Sequence, residues 1–480
     1  MRLWKHLDLG TSISCVLAAL IIALPAPGCA GAQTLPGAAA APSTAPAPPD
    51  FNGSVPTGEV SPTPLELSLD EAIQRGLRNN LGVILSSTQT ATARAQRLSE
   101  LQSLLPSVDF KATEAVMQTD LAAQGLRLPG FPTIIGPFGY TDLRASLSWS
   151  LVDVSSLRDY LAAKHNFVAA QLSADDARNL VILTVGNAYL LVLADEAEVS
   201  SVQAQVATAK ISLDQAIANH SAGTAPRLDE LRARVDFQTI QQRLIVAQDA
   251  LAKDKLALAR AIGLPLEQAF DLTDQVPYAP FDNLNAQALI QKAENNRKDL
   301  ASLVEQTAAA EQQRKAAAAA RYPTVKFNGD YGDIGVNVAH SHGTGDASAA
   351  LSVPLFNEFA LRGQAQQAQA QLDTDRARLS DRKAQIEADV RDALLDIASA
   401  QQQVQVVRSS RDLANEALSE AQERYKAGVS DNLAISQAQQ SVAQADQQYV
   451  SSLYRDNAAK LSLARALGEA GNYKSYLGGK

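Results

Sequence analysis

The side chains best suited to chemistry in this 480-residue sequence are few and lie far apart. His340 and His342 would point to one side of a strand end, which suggests a metal site. No third ligand lies near them in the sequence and a polar turn explains the pair, so we predict no metal. Residues 184–186 have no nucleophile partner nearby, and the sequence contains no phosphate loop, zinc motif or Ser/His/Asp arrangement. We predict neither an enzyme nor a cofactor.

Composition favours long helices over a packed enzyme core. A formal net charge of −9 and a pI near 5.2 show no excess of basic residues, so we predict no nucleic-acid partner. Only 19% of residues are charged and 5% aromatic, while Ala and Gln are abundant, which is typical of helices packed through small side chains. The two cysteines, Cys15 and Cys29, lie near the N-terminus, so we predict no disulfide framework.

The first part of the chain is predicted to direct export. Residues 1–32 combine a positive start, an apolar core over 13–24 and a small-residue cleavage site, as signal peptides do. Lipidation at Cys29 is the alternative, although Ala26 stands where such sites usually carry leucine. Residues 33–64 are rich in Ala and Pro and are predicted to form a disordered or extended leader. No later stretch approaches 18 apolar residues, so we expect no membrane-spanning helix.

One long stretch determines how the rest of the chain is organised. Residues 155–220 contain no proline and almost no glycine, which predicts one continuous helix. About 65 residues make a rod of about 100 Å, longer than the roughly 60 Å expected for a compact globule of this size. The turn at 221–226, with Gly223 at positive φ, should reverse the chain into a second helix that ends near residue 262. The protein is therefore predicted to span a distance.

Four segments alternate between apolar and polar residues and are predicted to be strands. They cover about 107–117, 141–151, 323–333 and 346–355. Four strands leave two edges unpaired, and the smallest membrane barrels need about eight strands. We therefore expect several chains to pool their strands into a transmembrane β-barrel, with Trp149 in the interfacial aromatic belt. A soluble β-sandwich edge packed on helices is the alternative.

The strand pairs and helical hairpins recur as a duplicated unit. Gly428 follows Gly223 by 205 residues, and Gly468 follows Gly263 by the same interval. The predicted boundaries are 65–265 for the first repeat, 266–285 for an irregular equatorial bridge, 286–468 for the second repeat with its hairpin turn at 427–431, and 469–480 for a C-terminal tail.

In this order of elements, residues 65–468 resemble the TolC-like outer-membrane factor family. The turn from Tyr425 to Gly428 and the paired strand motifs beginning at Leu147 and Leu351 match sequence motifs that are common in the family. The resemblance implies a homotrimer in the outer membrane, with a twelve-stranded barrel continued by a twelve-helix periplasmic tunnel. It also implies an exit duct for tripartite efflux or type I secretion, docked to a periplasmic adaptor and an inner-membrane transporter. A periplasmic adaptor or scaffold with long coiled-coil hairpins is the alternative function.

The resemblance also assigns roles at the two hairpin turns, which become the periplasmic tips. The resemblance implies that Gly223, Thr224, Gly428 and Val429 dock the adaptor. It also implies that Asp229 and Tyr425 belong to the periplasmic gate. The second turn departs from the family, because relatives carry an arginine at the position of Ser430 and carboxylates at those of Ala434 and Gln437. Asp431 would supply an acidic ring at the gate instead, or serve as the N-cap of the next helix.

Overall fold

Two helices of 68 and 69 residues are the longest elements of the chain. The computed structural model describes residues 51–478, apart from 124, 127–128, 131, 275–277, 282–284, 428 and 431. Its helices are α1 (Leu69–Asn79), α2 (Leu81–Gln102), α3 (Val154–Ser221), α4 (Arg227–Ile262), α5 (Ala286–Asn296), α6 (Lys298–Ala319), α7 (Glu358–Lys426), α8 (Asn432–Ala466) and α9 (Tyr473–Leu477). Its strands are β1 (Leu65–Leu67), β2 (Ser107–Asp120), β3 (Ile134–Val152), β4 (Phe270–Leu272), β5 (Thr324–Gly335) and β6 (Ser341–Ser352).

The continuous helix predicted over 155–220 is confirmed as α3. Asp153 caps its first turn by accepting a hydrogen bond from the Ser156 N–H, and no proline interrupts it before Pro226. At 1.5 Å per residue, α3 and its counterpart α7 are each about 100 Å long. The two long hairpins, α3 with α4 and α7 with α8, are therefore the main structural feature of the chain.

Each repeat opens with a short helix followed by a longer one. Ser68 caps α1, its hydroxyl accepting from the Glu71 N–H. Asn80 then separates α1 from α2, because its backbone is extended and its side chain accepts from the Gly82 N–H to cap α2. Arg297 holds the same place between α5 and α6. The duplication read from the sequence is thus present in the order of the helices.

The four predicted strands form one antiparallel sheet in the order β2-β3-β5-β6. Val108 pairs with Leu147 on one face, while the neighbouring pair of Asp109 with Ser146 lies on the other, so the polar and apolar faces agree with the alternation. The first hairpin is longer than predicted, because pairing continues beyond an irregularity at Met117 as far as Asp120.

The connecting segments are more ordered than local sequence patterns indicate. The bridge over 266–285 is not irregular throughout, because β4 lies in it and pairs in parallel with β1. The described end of the leader, residues 51–64, is held to the rest of the chain by main-chain hydrogen bonds. Val55 N–H donates to Asn79 O and Thr57 N–H to Gly263 O, each at 2.9 Å. Local patterns miss both features because their hydrogen-bond partners lie far away in the sequence.

The largest core lies where α1, α3, α4 and the short β1/β4 sheet meet. Val181, Val185 and Tyr189 of α3 are almost fully buried there, against Leu258 and Ile262 of α4. Contrary to expectation, α3 contains an 18-residue window with a mean hydropathy of 1.6, half of it buried within the chain. The core helix of a soluble protein meets the same criterion, and the buried residues of α3 show that its apolar content serves packing.

Candidate functional site at the hairpin tips

The first tip is a tight reversal between α3 and α4. Gly223 has a φ of +74°, the left-handed conformation predicted for it, and no atom lies within 4 Å of the place a Cβ would take. The main-chain oxygen of Asn219 accepts hydrogen bonds from the Thr224 N–H at 2.9 Å and from the Thr224 hydroxyl at 3.0 Å. These bonds satisfy a carbonyl at the end of α3 and fix the direction in which α4 leaves.

Charged side chains surround this turn. Glu230 pairs with His220 at 2.8 Å across the hairpin and with Arg234 at 2.7 Å along α4. Asp229 is only 7% exposed and lies 3.8 Å from Arg232. Both carboxylates occupy the first turn of α4, where the helix dipole favours negative charge. The predicted gate residue Asp229 is therefore held in the wall of the tip.

The second tip repeats this construction. Ala427 N–H donates to Glu423 O and Val429 N–H to Arg424 O, each at 3.0 Å. The Val429 side chain is 67% exposed, as a docking role requires. Gly428 and Asp431 lie outside the described residues, and the roles given to them remain predictions.

The two tips meet around one open cleft. Asn219 Nδ2 donates a hydrogen bond to the Tyr425 hydroxyl at 3.2 Å, which joins α3 to α7. The cleft beside this bond has a volume of about 730 Å³, and its lining includes Thr224, Asp229, Arg232, Tyr425, Lys426 and Val429. The structure thus brings together four of the predicted tip residues, namely Thr224, Asp229, Tyr425 and Val429.

Sequence reasoning missed Asn219 and the ion pair between His220 and Glu230. The three residues flank a predicted turn, which was the only available signal, because the rotation of each helix decides which side chains meet. Farther along the hairpins, polar contacts continue the link between the repeats. They join Asp236 to Ser436 at 2.6 Å, Ser212 to Gln439 at 3.0 Å and Ser201 to Asp446 at 3.0 Å.

A second cleft, with a volume of about 440 Å³, lies between α3, α4 and α8. Asp195 and Glu198 line it, beside Arg243. Burial, followed by a hydrogen bond and charge repulsion from Asp254, raises the pKa of Asp195 to about 7. Burial and the charge of Asp446 raise the pKa of Glu198. The helical hairpins therefore hold carboxyl groups that keep their protons to unusually high pH.

The sheet separates polar and apolar side chains between its two faces. Arg144 pairs with Asp142 at 3.2 Å and also with Asp330 on the neighbouring strand. Trp149 lies on the apolar face, and its Nε1 donates to Leu104 O at 3.1 Å, near the end of α2. His340 Nδ1 hydrogen-bonds to Asn337 Oδ1 at 2.8 Å. Among the described residues, no group of three His, Cys, Asp or Glu side chains is placed to hold a metal ion.

The chain combines a duplicated order of elements, long helical hairpins and a four-stranded sheet that is apolar on one face. The family of outer membrane efflux proteins matches residues 72–264 and 289–469. The toluene efflux pump outer membrane protein TtgC of Pseudomonas putida is 23% identical over 419 residues, which cover 84% of this chain and 83% of TtgC. The chain belongs to the outer membrane efflux protein family, as the resemblance predicts.

Solved structures show the same fold. The outer membrane channel CmeC of Campylobacter jejuni aligns with a TM-score of 0.74 and 17% identity, over 85% of this chain and 89% of CmeC. The outer membrane protein VceC of Vibrio cholerae gives a TM-score of 0.74 and 19% identity, over 83% of this chain and 96% of VceC. The protein is an outer-membrane channel for efflux, with its helical part in the periplasm.

Proposed function

We propose that three copies of this chain close a twelve-stranded barrel in the outer membrane, continued by twelve periplasmic helices. The resulting duct is the exit of a tripartite efflux or type I secretion system. One observation carries the proposal: the strand pairing that connects the two repeats within a chain can be repeated between chains. Inside the chain, β3 of the first repeat pairs with β5 of the second. The strands β6 and β2 form the edges of the sheet, and a second copy would pair its β2 with β6 in the same way.

Three copies fit the requirement for a channel better than two. Two copies would give eight strands, and a barrel of that size is filled by its own side chains. Twelve strands leave room for a lumen, and the family resemblance implies the same number. The polar face, with Arg144 and Asp330, would line this lumen.

Apolar side chains near the β6 edge support this closure. Phe356 and Phe359 are 105% and 89% exposed in the single chain, whereas Val152, which matches Phe356 when the strand motifs beginning at Leu147 and Leu351 are aligned, is 47% exposed. A second copy seated at this edge would bring its α2 beside them, and α2 ends among the exposed Leu98 and Leu105. Closure would therefore cover apolar surface on both copies.

The outer face of the sheet suits lipid. Val108, Phe110 and Leu351 project from it with exposures of 71%, 72% and 67%. Strands with an apolar outward face and a polar inward face are the pattern of membrane barrels. We assign this face to the hydrocarbon of the outer membrane.

The tips would then meet a periplasmic adaptor that leads to an inner-membrane transporter. The docking residues are Gly223, Thr224, Gly428 and Val429, and the gate residues are Asp229, Tyr425 and Asp431. Asp431 would add one carboxylate per chain to an acidic ring that attracts cations, and an N-capping role for it is compatible with that one. If the exported chain is lipidated, the site is Cys29.

Cell fractionation and gel electrophoresis test the proposal. The full chain should be recovered from the outer membrane as a trimer that dissociates on heating. Recovery as a soluble periplasmic monomer would overturn the duct and favour an adaptor. The family match to outer membrane efflux proteins does not favour that alternative.

The acidic ring is tested separately. Asp431→Asn should lower the cation preference measured in planar lipid bilayers, because it removes one negative charge per chain from the mouth. Unchanged selectivity would remove Asp431 from the gate.

A further inference from the structure

We propose that Arg260 of one chain binds the partner subunit's Asp381, so that one ion pair holds each seam between the chains of the duct. Such a seam requires the trimeric duct proposed above. An ion pair inside the chain is the template for it. Arg465 Nη2 of α8 lies 2.7 Å from Asp176 Oδ1 of α3, and the two side chains are only 11% and 13% exposed. This pair connects the second repeat to the first.

The repeat identifies the residues that would meet in the same way between chains. An interval of 205 residues makes Asp381 on α7 the counterpart of Asp176. The same interval makes Arg260 on α4 the counterpart of Arg465. Within the chain, α3 of the first repeat packs against α8 of the second. Where the barrel closes between chains, α4 of one chain would pack against the partner subunit's α7 in the same arrangement.

Buried residues fix the register of this comparison. Three pairs of counterparts are fully buried in both repeats: Val181 with Ile386, Val185 with Val390, and Leu258 with Leu463. Asp176 and Asp381 each lie five residues before the first of these pairs. Arg260 and Arg465 each lie two residues after the last. A shift of one residue would turn a side chain by about 100° around its helix, so the shared burial places each charged residue on the same helical face as its counterpart.

Arg260 and Asp381 are both available to another chain. Their side chains are exposed, and neither forms an ion pair among the residues that the structure describes. The main-chain oxygen of Arg260 accepts a hydrogen bond from the Ser54 hydroxyl, which holds this end of α4 without using the guanidinium. A guanidinium and a carboxylate form strong, directional hydrogen bonds when they are brought together.

An apolar neighbour of Arg260 agrees with contact between copies. Leu256, four residues before Arg260, is 49% exposed, whereas its counterpart Leu461 is 2% exposed. The Leu461 side chain lies against Gly186 of α3, where an added Cβ would be 2.9 Å away. The counterpart of Gly186 is Arg391, so Leu256 would contact the aliphatic stem of the partner subunit's Arg391. A second copy would thus cover apolar surface beside the ion pair and shield the pair from water.

Charge reversal tests the pair. Arg260→Asp alone, or Asp381→Arg alone, brings like charges together at every seam and should lower the fraction recovered as heat-labile trimer by about tenfold or more. The double variant Arg260→Asp with Asp381→Arg restores opposite charges, and should recover trimer at the wild-type level. Both residues are exposed in the single chain, so all three variants should fold, which circular dichroism spectra check.

Chemical cross-linking tests which chains the two residues come from. In a Cys29→Ser background, Arg260→Cys with Asp381→Cys is treated with a short bismaleimide and examined on a denaturing gel. Contact between chains gives covalent dimers and trimers. The matched control, Asp176→Cys with Arg465→Cys, should give a cross-link within the chain, seen as a monomer of altered mobility. If the control cross-links while the first variant gives neither dimers nor trimers, the proposal is overturned.

The outcomes separate the ion pair from the duct. Single reversal variants that form as much trimer as the wild type would overturn the ion pair and leave the duct intact. The same holds if the double variant assembles no better than the single variants. A wild-type protein that forms no trimer would overturn both.

Discussion

Asp195 in α3 and Asp254 in α4 are neighbours across the first hairpin, and both the hydrogen bonding and the charge of Asp254 act on the pKa of Asp195. Asp195 Oδ2 is buried and has no hydrogen-bond partner, so a full negative charge there is poorly solvated. Burial first, and then the bond to Asp254 and the charge of that group, raise the pKa of Asp195 to about 7. Asp195 therefore keeps its proton to near neutral pH.

This pair predicts that stability falls as pH rises. In an unfolded chain Asp195 has its ordinary pKa of 3.8, whereas the folded chain keeps the proton until about pH 7. Between these values the folded state binds more protons, so its free energy of unfolding decreases with each step in pH. Asp254→Asn removes the repulsion, and should raise stability above pH 7 by about 1–2 kcal/mol per chain after allowance for solvent screening.

Circular dichroism melting at pH 5 and pH 8 measures the effect. The gap in melting temperature between the two pH values should narrow in Asp254→Asn. Asp249→Asn, on the same helix, removes an exposed carboxylate that pairs with Lys253 and should leave the gap as in the wild type. Equal gaps in all three proteins would contradict the role of Asp254 in raising the pKa of Asp195.

The sequence predicts the large elements because their signals are local. A run without proline predicts α3, a two-residue alternation predicts β2 and β3, and a repeat interval pairs Gly223 with Gly428. These features need no knowledge of which parts of the chain are neighbours in space.

Features that depend on distant neighbours could not be predicted in this way. Strands β1 and β4 have three residues each, and only their mutual pairing defines them. The bond from Asn219 to Tyr425 and the approach of Asp254 to Asp195 depend on how each helix is rotated about its axis. A change of one position in the helical register would move either contact to another face. The turn residues in the sequence therefore predicted where the candidate site lies. Its internal hydrogen bonds could be identified only from the structure.

The sheet predicts that two adjacent positions on β6 tolerate arginine very differently. Ala347 pairs with Gly329 on the apolar face, while Ser348 pairs with Asn328 on the polar face. Ala347→Arg would place a cation in lipid at a cost of about 2–4 kcal/mol, and should reduce the amount of heat-labile trimer in the outer membrane. Ser348→Arg would point into the lumen and should assemble normally. Equal assembly of the two variants, measured by seminative gel electrophoresis, would contradict the assignment of the faces.

Two glycines with the same backbone conformation should respond differently to alanine. Gly223 and Gly263 both have a φ of +74°, so each substitution carries a conformational cost of about 1 kcal/mol. At Gly223 a Cβ meets nothing within 4 Å, whereas at Gly263 it would lie 2.5 Å from Asn79 Cβ and 2.8 Å from Val55 O. Overpacking adds about 1–3 kcal/mol, so Gly263→Ala should melt at a clearly lower temperature than Gly223→Ala. Similar melting temperatures would show that the leader segment moves aside freely.

Two ion pairs with the same geometry but different burial test how the core tolerates charge. Lys460 and Asp456 are both 0% exposed and lie 2.6 Å apart, four residues apart on α8. Lys253 and Asp249 have the same spacing and distance on α4, but their side chains are 71% and 62% exposed. Lys460→Met leaves a buried carboxylate without its cation and should cost about 3–5 kcal/mol, while Lys253→Met should leave the melting temperature unchanged.

A second substitution separates lost charge pairing from lost packing. Adding Asp456→Asn to Lys460→Met removes the unpaired charge, and most of the lost stability should return if that charge is the cause. A double variant as unstable as Lys460→Met would instead place the cost in the lost contact between Lys460 Nζ and Ala279 O. That bond ties α8 to the described part of the equatorial bridge, so its loss should also increase proteolysis near Tyr278, which limited digestion would detect.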